Sequence, residues 1–147
     1  MDSVDVRKME SRDVGAVAEL ERLGGEVRWS QAQLAAELDK TISRYYVATT
    51  GPATVVGYVG GWVIAPELQV ANIVIHPDFR CRGIGRRLLE TLLTQAQQEG
   101  CTQSTLEVRR SNTHAQALYR AVGYHATGTR PKVYANNEDA ILMEKIL

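Results

Sequence analysis

Val4 and Val6 alternate with charged residues, a period of two that predicts a first strand running through about Met9. The period then lengthens. Val14, Val17, Ala18 and Leu20 fall on one stripe of a helix, with Asp13 placed to cap its start and Gly24-Gly25 to end it. A second helix opens on a sharper signal. Ser30 and Gln33 stand at capping-box spacing, and Trp29 and Leu34 hold the two positions of a hydrophobic staple. That helix is expected to reach about Leu38.

Tyr45 to Thr49 and Val55 to Ile64 read as strands joined by a turn at Gly51-Pro52. Leu68 to Ile75 is rich in β-branched residues and nearly free of charge, the composition of a central strand. It stops at His76-Pro77-Asp78, where proline has no amide for a ladder. From Gly85 to Glu99 the residues Leu88, Leu89, Leu92, Leu93 and Ala96 recur at helical spacing, and Gly100 supplies the stop. Ser104 to Val108 predicts a short strand, and Ala115 to Val122 a short helix ended by Gly123. Tyr124 onward and Ala140 to Ile146 complete the sheet around a polar loop near Asn136-Asn137. The order is mixed α/β, an early meander of strands followed by crossing helices. With no repeat, low-complexity tract or linker, residues 1–147 read as one domain.

Hydrophobic residues at 44% and charged residues at 23% exclude a disordered or fibrous chain. A domain of this size buries roughly 68–70% of its unfolded surface, so it needs no metal or disulfide as a staple. Lys+Arg and Asp+Glu number 17 each, which leaves no cationic excess for coating nucleic acid or an anionic membrane. Cys81 and Cys101 form no Cys-x-x-Cys, and His76, His114 and His125 are not spaced as a ligand set around them. No metal site is expected. The acidic start Met1-Asp2-Ser3-Val4-Asp5 lacks the apolar core of a signal peptide. The longest apolar run, Val55 to Ala65, is broken by three glycines and falls far short of the ~20 residues that cross a bilayer. These features predict a soluble protein of a reducing cytoplasm.

The densest chemistry lies in Arg80-Cys81-Arg82-Gly83-Ile84-Gly85-Arg86-Arg87, between a buried strand and an amphipathic helix. The first turn of such a helix offers unpaired N–H groups and the positive end of its dipole, and both attract phosphate. Gly83 and Gly85 remove side chains that would hold a diphosphate away from the backbone. Four arginines in eight residues add charge, the only strongly basic spot in the chain. A Walker loop is excluded, because no Gly-x-x-x-x-Gly-Lys followed by Ser or Thr occurs. A dinucleotide fingerprint fails as well: Leu88 holds its third glycine position, and the loop follows the fourth predicted strand. A plain strand–helix turn with a solvated arginine face remains the structural alternative.

Arg-x-x-Gly-x-Gly after Asn72-Ile73-Val74-Ile75-His76-Pro77 resembles the acetyl-CoA signature of the GNAT superfamily of N-acetyltransferases. Downstream, Leu106-Glu107-Val108-Arg109-Arg110-Ser111-Asn112, Ala117-Leu118-Tyr119 and Gly123-Tyr124 are similar to its RimI-type branch, the bacterial ribosomal-protein-alanine N-acetyltransferases. Trp29-Ser30 and the tail Tyr134-Ala135 with Glu138-Asp139-Ala140 extend the match over nearly the whole chain. The resemblance implies a central, mostly antiparallel mixed sheet of about seven strands flanked by about four helices.

It also implies acetyl-CoA as co-substrate, held in an opening between the fourth and fifth strands. Ile73, Val74 and Ile75 would bind the pantetheine through their backbone, and Cys81, Arg82, Gly83, Ile84, Gly85 and Arg86 the pyrophosphate. Asn112 matches a further cofactor contact, although an amide at a helix start can also simply cap that helix.

Transfer from a thioester to an amine needs a base, an oxyanion site and an acid. An α-amino group of pKa ~7.7–8.0 is largely protonated near neutrality. Glu107 falls at the family's base position; its alternative is an ion pair with an arginine such as Arg109. Backbone N–H groups near Val74 and Ile75 are candidates for the oxyanion site. Tyr119 falls at the acid position and would protonate the departing thiolate; its alternative is a core tyrosine beside Leu118 and Val122.

The implied route is direct attack in a ternary complex. A covalent route through Cys81 conflicts with its place in the pyrophosphate loop, and Cys101 reads as an incidental thiol. The implied acceptor is a protein N-terminus, above all the N-terminal alanine of small-subunit ribosomal protein eighteen. Tyr134 matches an aromatic position of the peptide-binding loop, whereas Val133 stands where related members often carry a second tyrosine, which points to broader specificity. The competing readings are a small-amine acetyltransferase, for a polyamine or an aminoglycoside, and a non-catalytic acyl-CoA sensor.

Overall fold

A computed structural model describes residues 3–25 and 29–147; the acidic start at Met1-Asp2 lies outside the described residues. In chain order the elements are β1 (Val4–Lys8), a 3₁₀ turn (Ser11–Asp13), α1 (Val14–Gly24), α2 (Gln31–Leu38), β2 (Ser43–Thr50), β3 (Thr54–Ile64) and β4 (Glu67–Ile75). A second 3₁₀ turn (Pro77–Phe79), α3 (Ile84–Gln98), β5 (Gln103–Arg109), α4 (Thr113–Val122), β6 (His125–Arg130) and β7 (Ala140–Ile146) follow. Among the described residues, the seven strands form one sheet in the order β1-β2-β3-β4-β5-β7-β6. Every neighbouring pair is antiparallel except β4 and β5, whose parallel pairing is made possible by the crossover through α3. The mixed, mostly antiparallel sheet with four α-helices agrees with the expectation.

Both faces of the sheet are covered, which explains why β2 is apolar on both sides. Tyr46 and Ala48 enter the cluster under α3 and α4, with Leu88, Leu92 and Met143. Tyr45 and Val47 enter the cluster under α1 and α2, with Val17 and Leu34. The residues of the α3 stripe Leu88, Leu89, Leu92, Leu93 and Ala96 are all buried, as their spacing predicts.

The capping box at α2 forms. The Gln33 amide donates to Ser30 Oγ at 3.1 Å, and the Ser30 amide to Gln33 Oε1 at 2.9 Å. Asp13 departs from its expected role, because its side chain makes no cap bond to α1. Its carboxylate accepts from both Arg7 guanidinium nitrogens and from the Glu10 amide, each at 2.8 Å, so it closes the 3₁₀ turn and ties that turn to β1. The Arg7 hydrogen bonds hold the Asp13 carboxyl below the usual carboxylate range. The helix predicted from Ala115 begins two residues earlier, at Thr113, because the Asn112 side chain accepts from the Ala115 amide at 3.1 Å. No helix among the described residues is long and apolar enough to cross a membrane.

One irregularity creates the site. β4 pairs with β5 only from Glu67 to Gln69, opposite Gln103 to Thr105. Its register with β3 then slips: Gly61 faces Val70 but Gly60 faces Asn72, leaving Ala71 as a bulge. The extra residue turns Asn72 and Val74 to the α1–α2 face, while Leu68 and Val70 stay on the α3 face. Past the bulge β4 and β5 share no ladder, and a gap opens between them.

Candidate active site

The gap exposes the main chain of β4. The His76 amide donates to the Val56 carbonyl at 2.8 Å, which sets the antiparallel alternation: Asn72 and Val74 commit their main-chain groups to β3. Ile73 and Ile75 therefore turn theirs into the gap. The Ile73 amide donates to Asn72 Oδ1 at 3.0 Å, and the Ile75 carbonyl accepts from Arg80 Nε at 3.4 Å. Of the two oxyanion donors expected from the sequence, Ile75 faces the opening; the Val74 amide belongs to the ladder and its side chain to the α1–α2 core.

At the C-terminal end of β4 the chain reaches the glycine–arginine loop. Gly83 is the N-cap of α3 with φ +78°, a left-handed conformation that suits glycine, and a Cβ there would meet nothing within 4 Å. The first intrahelical bond runs from the Arg87 amide to the Gly83 carbonyl, so the amides of Ile84, Gly85 and Arg86 have no intrahelical partner. Gly85 serves packing as much as access, because a Cβ there would lie 3.2 Å from Leu118 Cδ2 of α4. Cys81 is exposed and also left-handed, at φ +62°. A non-glycine residue held there marks a backbone fixed by its surroundings.

The four arginines separate in space. Arg80 and Arg86 line a cleft of about 800 Å³ with Gly83 and Gly85 at its edge. Arg82 is not part of that wall: its side chain lies over the Phe79 ring, 5.0 Å from the centroid, and donates to the Asp78 carbonyl at 3.1 Å. Arg87 leaves the loop altogether to donate to the Val4 carbonyl of β1. Except for Arg82, every residue expected at the cofactor lines this cleft.

A second cleft of about 600 Å³ continues on the other side of the gap, and Ile73, Asn112 and Ala115 belong to both. Glu107, Tyr119 and Tyr134 all line it. The two clefts differ in charge. Among the described lining residues, the first carries Arg80 and Arg86 and no carboxylate, and the second carries Glu107 and Glu144 and no Lys or Arg. The pair fits a polyanion at the loop and a cationic group across the gap.

A sequence model of the Acetyltransferase (GNAT) family matches residues 14–124. The chain belongs to that family. It is an acetyl-CoA-dependent N-acetyltransferase, and the free amides of the first α3 turn, beside Arg80 and Arg86, fit the diphosphate of that co-substrate. The chain is 30% identical over 139 residues to a putative ribosomal protein bS18-alanine N-acetyltransferase of Bacillus subtilis, covering 94% of this chain and 92% of that one. It is 40% identical over 140 residues to an uncharacterized protein of Mycobacterium leprae, but these span 90% of this chain and only 38% of the other. The crystal structure of the Escherichia coli ribosomal-protein-S18-alanine N-acetyltransferase superposes with a TM-score of 0.88 at 27% identity, covering 98% of this chain and 94% of that one.

In this acetyltransferase Glu107 projects from β5 with Thr105 and Arg109 on the same face. It is ion-paired, but with a different arginine from the one expected. Arg130 of β6 donates to both carboxylate oxygens, at 2.9 and 2.6 Å. Arg109 is engaged elsewhere, 4.0 Å above the Tyr134 ring centroid and 3.4 Å from Glu138 Oε2. Tyr119 is 6% exposed and packs edge-on against Tyr124 at 5.9 Å, so it is both a core residue and part of the cleft wall. Burial pushes the Tyr124 phenol up to about 12, with its Ser104 bond at 2.6 Å acting the other way. Asn112 likewise has both roles, capping α4 and lining both clefts.

Other groups at this site were not singled out in the sequence. The Ser111 amide donates to Glu138 Oε1 at 2.6 Å, tying the loop that carries Tyr134 to the turn before α4. Hydrogen bonds from the Ser111 side chain and amide, with Asn136 and Arg109 adding to them, bring the Glu138 carboxyl down to about 2. On the other wall α1 and α2 each send a carboxylate into the sheet. Glu21 accepts from Tyr58 and Asn72, and Glu37 accepts from Trp62 Nε1 at 2.6 Å, from Ser43 Oγ at 3.1 Å and from Lys40. Burial pushes the Glu37 carboxyl up, but Lys40, Trp62 and Ser43 together outweigh it and hold it below the usual range. Asn72 and Trp62 line the second cleft, so these buried carboxylates fix part of its wall. Only long-range pairing identifies them; Glu21 and Glu37 sit on their helices as ordinary charged positions would. No group of three or more His, Cys, Asp or Glu among the described residues is placed to hold a metal ion.

Proposed function

We propose that this enzyme acetylates protein N-termini, with the N-terminal alanine of ribosomal protein bS18 as its principal acceptor. The observation that carries the reading is the charge division across the gap: arginines and open helix amides on one side, carboxylates on the other. Names of the Bacillus subtilis and Escherichia coli relatives support the alanine acceptor.

Bound acetyl-CoA supplies the thioester whose carbonyl takes the amine's lone pair. The amides of Ile84, Gly85 and Arg86 hold its diphosphate, and the main chain of Ile73 and Ile75 lies along its arm. Glu107, which lines the second cleft, removes a proton from the α-ammonium. The Ile75 amide, turned into the gap, faces the developing oxyanion. Tyr119 protonates the departing thiolate, and Tyr134 packs against the peptide beyond its first residue. Cys81 lies on the diphosphate side, away from Glu107, which favours direct transfer over an acetyl-cysteine intermediate.

Glu107 and Glu144 in one cleft also suit a small polyamine, the second reading. A panel of alanine-first and other N-terminal peptides, with spermidine and an aminoglycoside, incubated with acetyl-CoA and read by mass, separates the two. Acetylation of the alanine-first bS18 peptide above all others is expected. Preferential acetylation of spermidine would replace this reading with the second.

A further inference from the structure

The carboxylate offered to the acceptor amine is already occupied by a cation. Arg130 holds both oxygens of Glu107 in a bidentate fork at 2.6 and 2.9 Å. The pair is long-reaching. Arg130 stands opposite Ala140, while Glu107 stands opposite Leu142, so the guanidinium crosses β7 and extends two residues along it. Gly128 stands opposite Leu142, in the Glu107 row itself, and brings no side chain into the path of the guanidinium.

Other charges nearby do not substitute for Arg130. Arg109, on the same face of β5 as Glu107, is held by Glu138 and Tyr134. Glu144 lies one row further along and Glu67 bonds Thr105. Among the described residues Arg130 has no second carboxylate within ion-pair distance, and β6 is exposed along its whole length. The side chain can therefore swing into water without breaking any other ion pair.

We propose that Arg130 is a built-in competitor of the acceptor: it occupies Glu107 in the free enzyme, and the incoming ammonium must take its place. The inference rests on Glu107 as the carboxylate that meets the acceptor. Every acceptor ammonium has to displace the fork, so the arginine acts as a threshold on acceptor binding.

Steady-state kinetics of Arg130→Gln and Arg130→Lys, with the alanine-first bS18 peptide and with spermidine, test this. For Arg130→Gln the peptide KM is expected to fall roughly two- to five-fold, the factor to which an exposed ion pair corresponds. The KM for acetyl-CoA should hold, and kcat should change less than the peptide KM. The spermidine KM should fall by a similar factor, because both ammonium groups displace the same fork. Arg130→Lys keeps the charge and loses the fork, so its peptide KM should lie between; it also serves if the glutamine variant folds poorly. An unchanged or raised peptide KM in both variants overturns the proposal, as does a matching shift in acetyl-CoA KM, which would mean a merely structural role. Wild-type enzyme that acetylates neither acceptor would instead overturn the assignment of the acceptor cleft.

Discussion

Glu107→Gln removes the one group expected to carry the acceptor's proton while keeping its size. The structure bounds the side effects. The Glu107 and Arg130 side chains are 38% and 56% exposed, and an exposed pair adds little to folding. The carboxamide oxygen can still accept one bond from Arg130. The thermal midpoint should therefore move by no more than about 2–4 °C. Glu107 lines the second cleft and not the arginine cleft, so acetyl-CoA affinity should be unchanged. A positioned base contributes about 10²- to 10⁴-fold, which corresponds to roughly 3–5 kcal/mol on the barrier. The assay follows coenzyme A thiol release at saturating peptide, with calorimetry for acetyl-CoA and a melting curve for folding. A kcat within threefold of wild type, in a folded variant that binds acetyl-CoA, would remove Glu107 from the base role. Its pairing with Arg130 would then be its whole function.

Gly83→Val forces a β-branched residue to φ +78°, costing about 1–2 kcal/mol of folding stability; because nothing lies within 4 Å of the new Cβ, any loss of acetyl-CoA affinity in calorimetry reports obstruction of the loop. Undiminished affinity would move the diphosphate elsewhere. Tyr119→Phe should lower kcat by at least about tenfold with little change in melting temperature, since the ring stays packed on Tyr124; a lower melting temperature with normal kcat would leave only the core role. Glu99, held by Arg44 and brought down to about 2, contributes stability that is complete above its ordinary value of 4.5 and lost as pH falls toward 2. Glu99→Gln should thus be less stable at neutral pH, by on the order of 1 kcal/mol after allowing for partial exposure, and the difference should vanish near pH 2; a gap that persists at that pH would contradict the linkage.

Much of this protein is written in local pattern. Strand and helix periods, the Ser30–Gln33 box, the leucine stripe of α3 and the glycine–arginine loop each depend on residues within a few positions, and all form close to where the sequence puts them, with shifts such as the earlier start of α4 confined to element ends. Even the loop's amides are a local property, because a helix start leaves them unpaired whatever the rest of the chain does. Partner choice is different. Asp13 pairs with Arg7 instead of capping its helix, and Arg82 and Arg87 leave the glycine–arginine loop for Phe79 and Val4. Glu107 meets Arg130 because β7 carries β6 to that face of β5, while Arg109 is held by Glu138 from 29 residues away. The opening of the sheet was decided in the same way, by a single bulge at Ala71 that turns Asn72 toward Glu21 and lets β4 part from β5. Periodicity and caps are fixed by neighbours in sequence, whereas a charge pairs with whichever opposite charge the strand order brings within about 3 Å, and only the folded sheet sets that order.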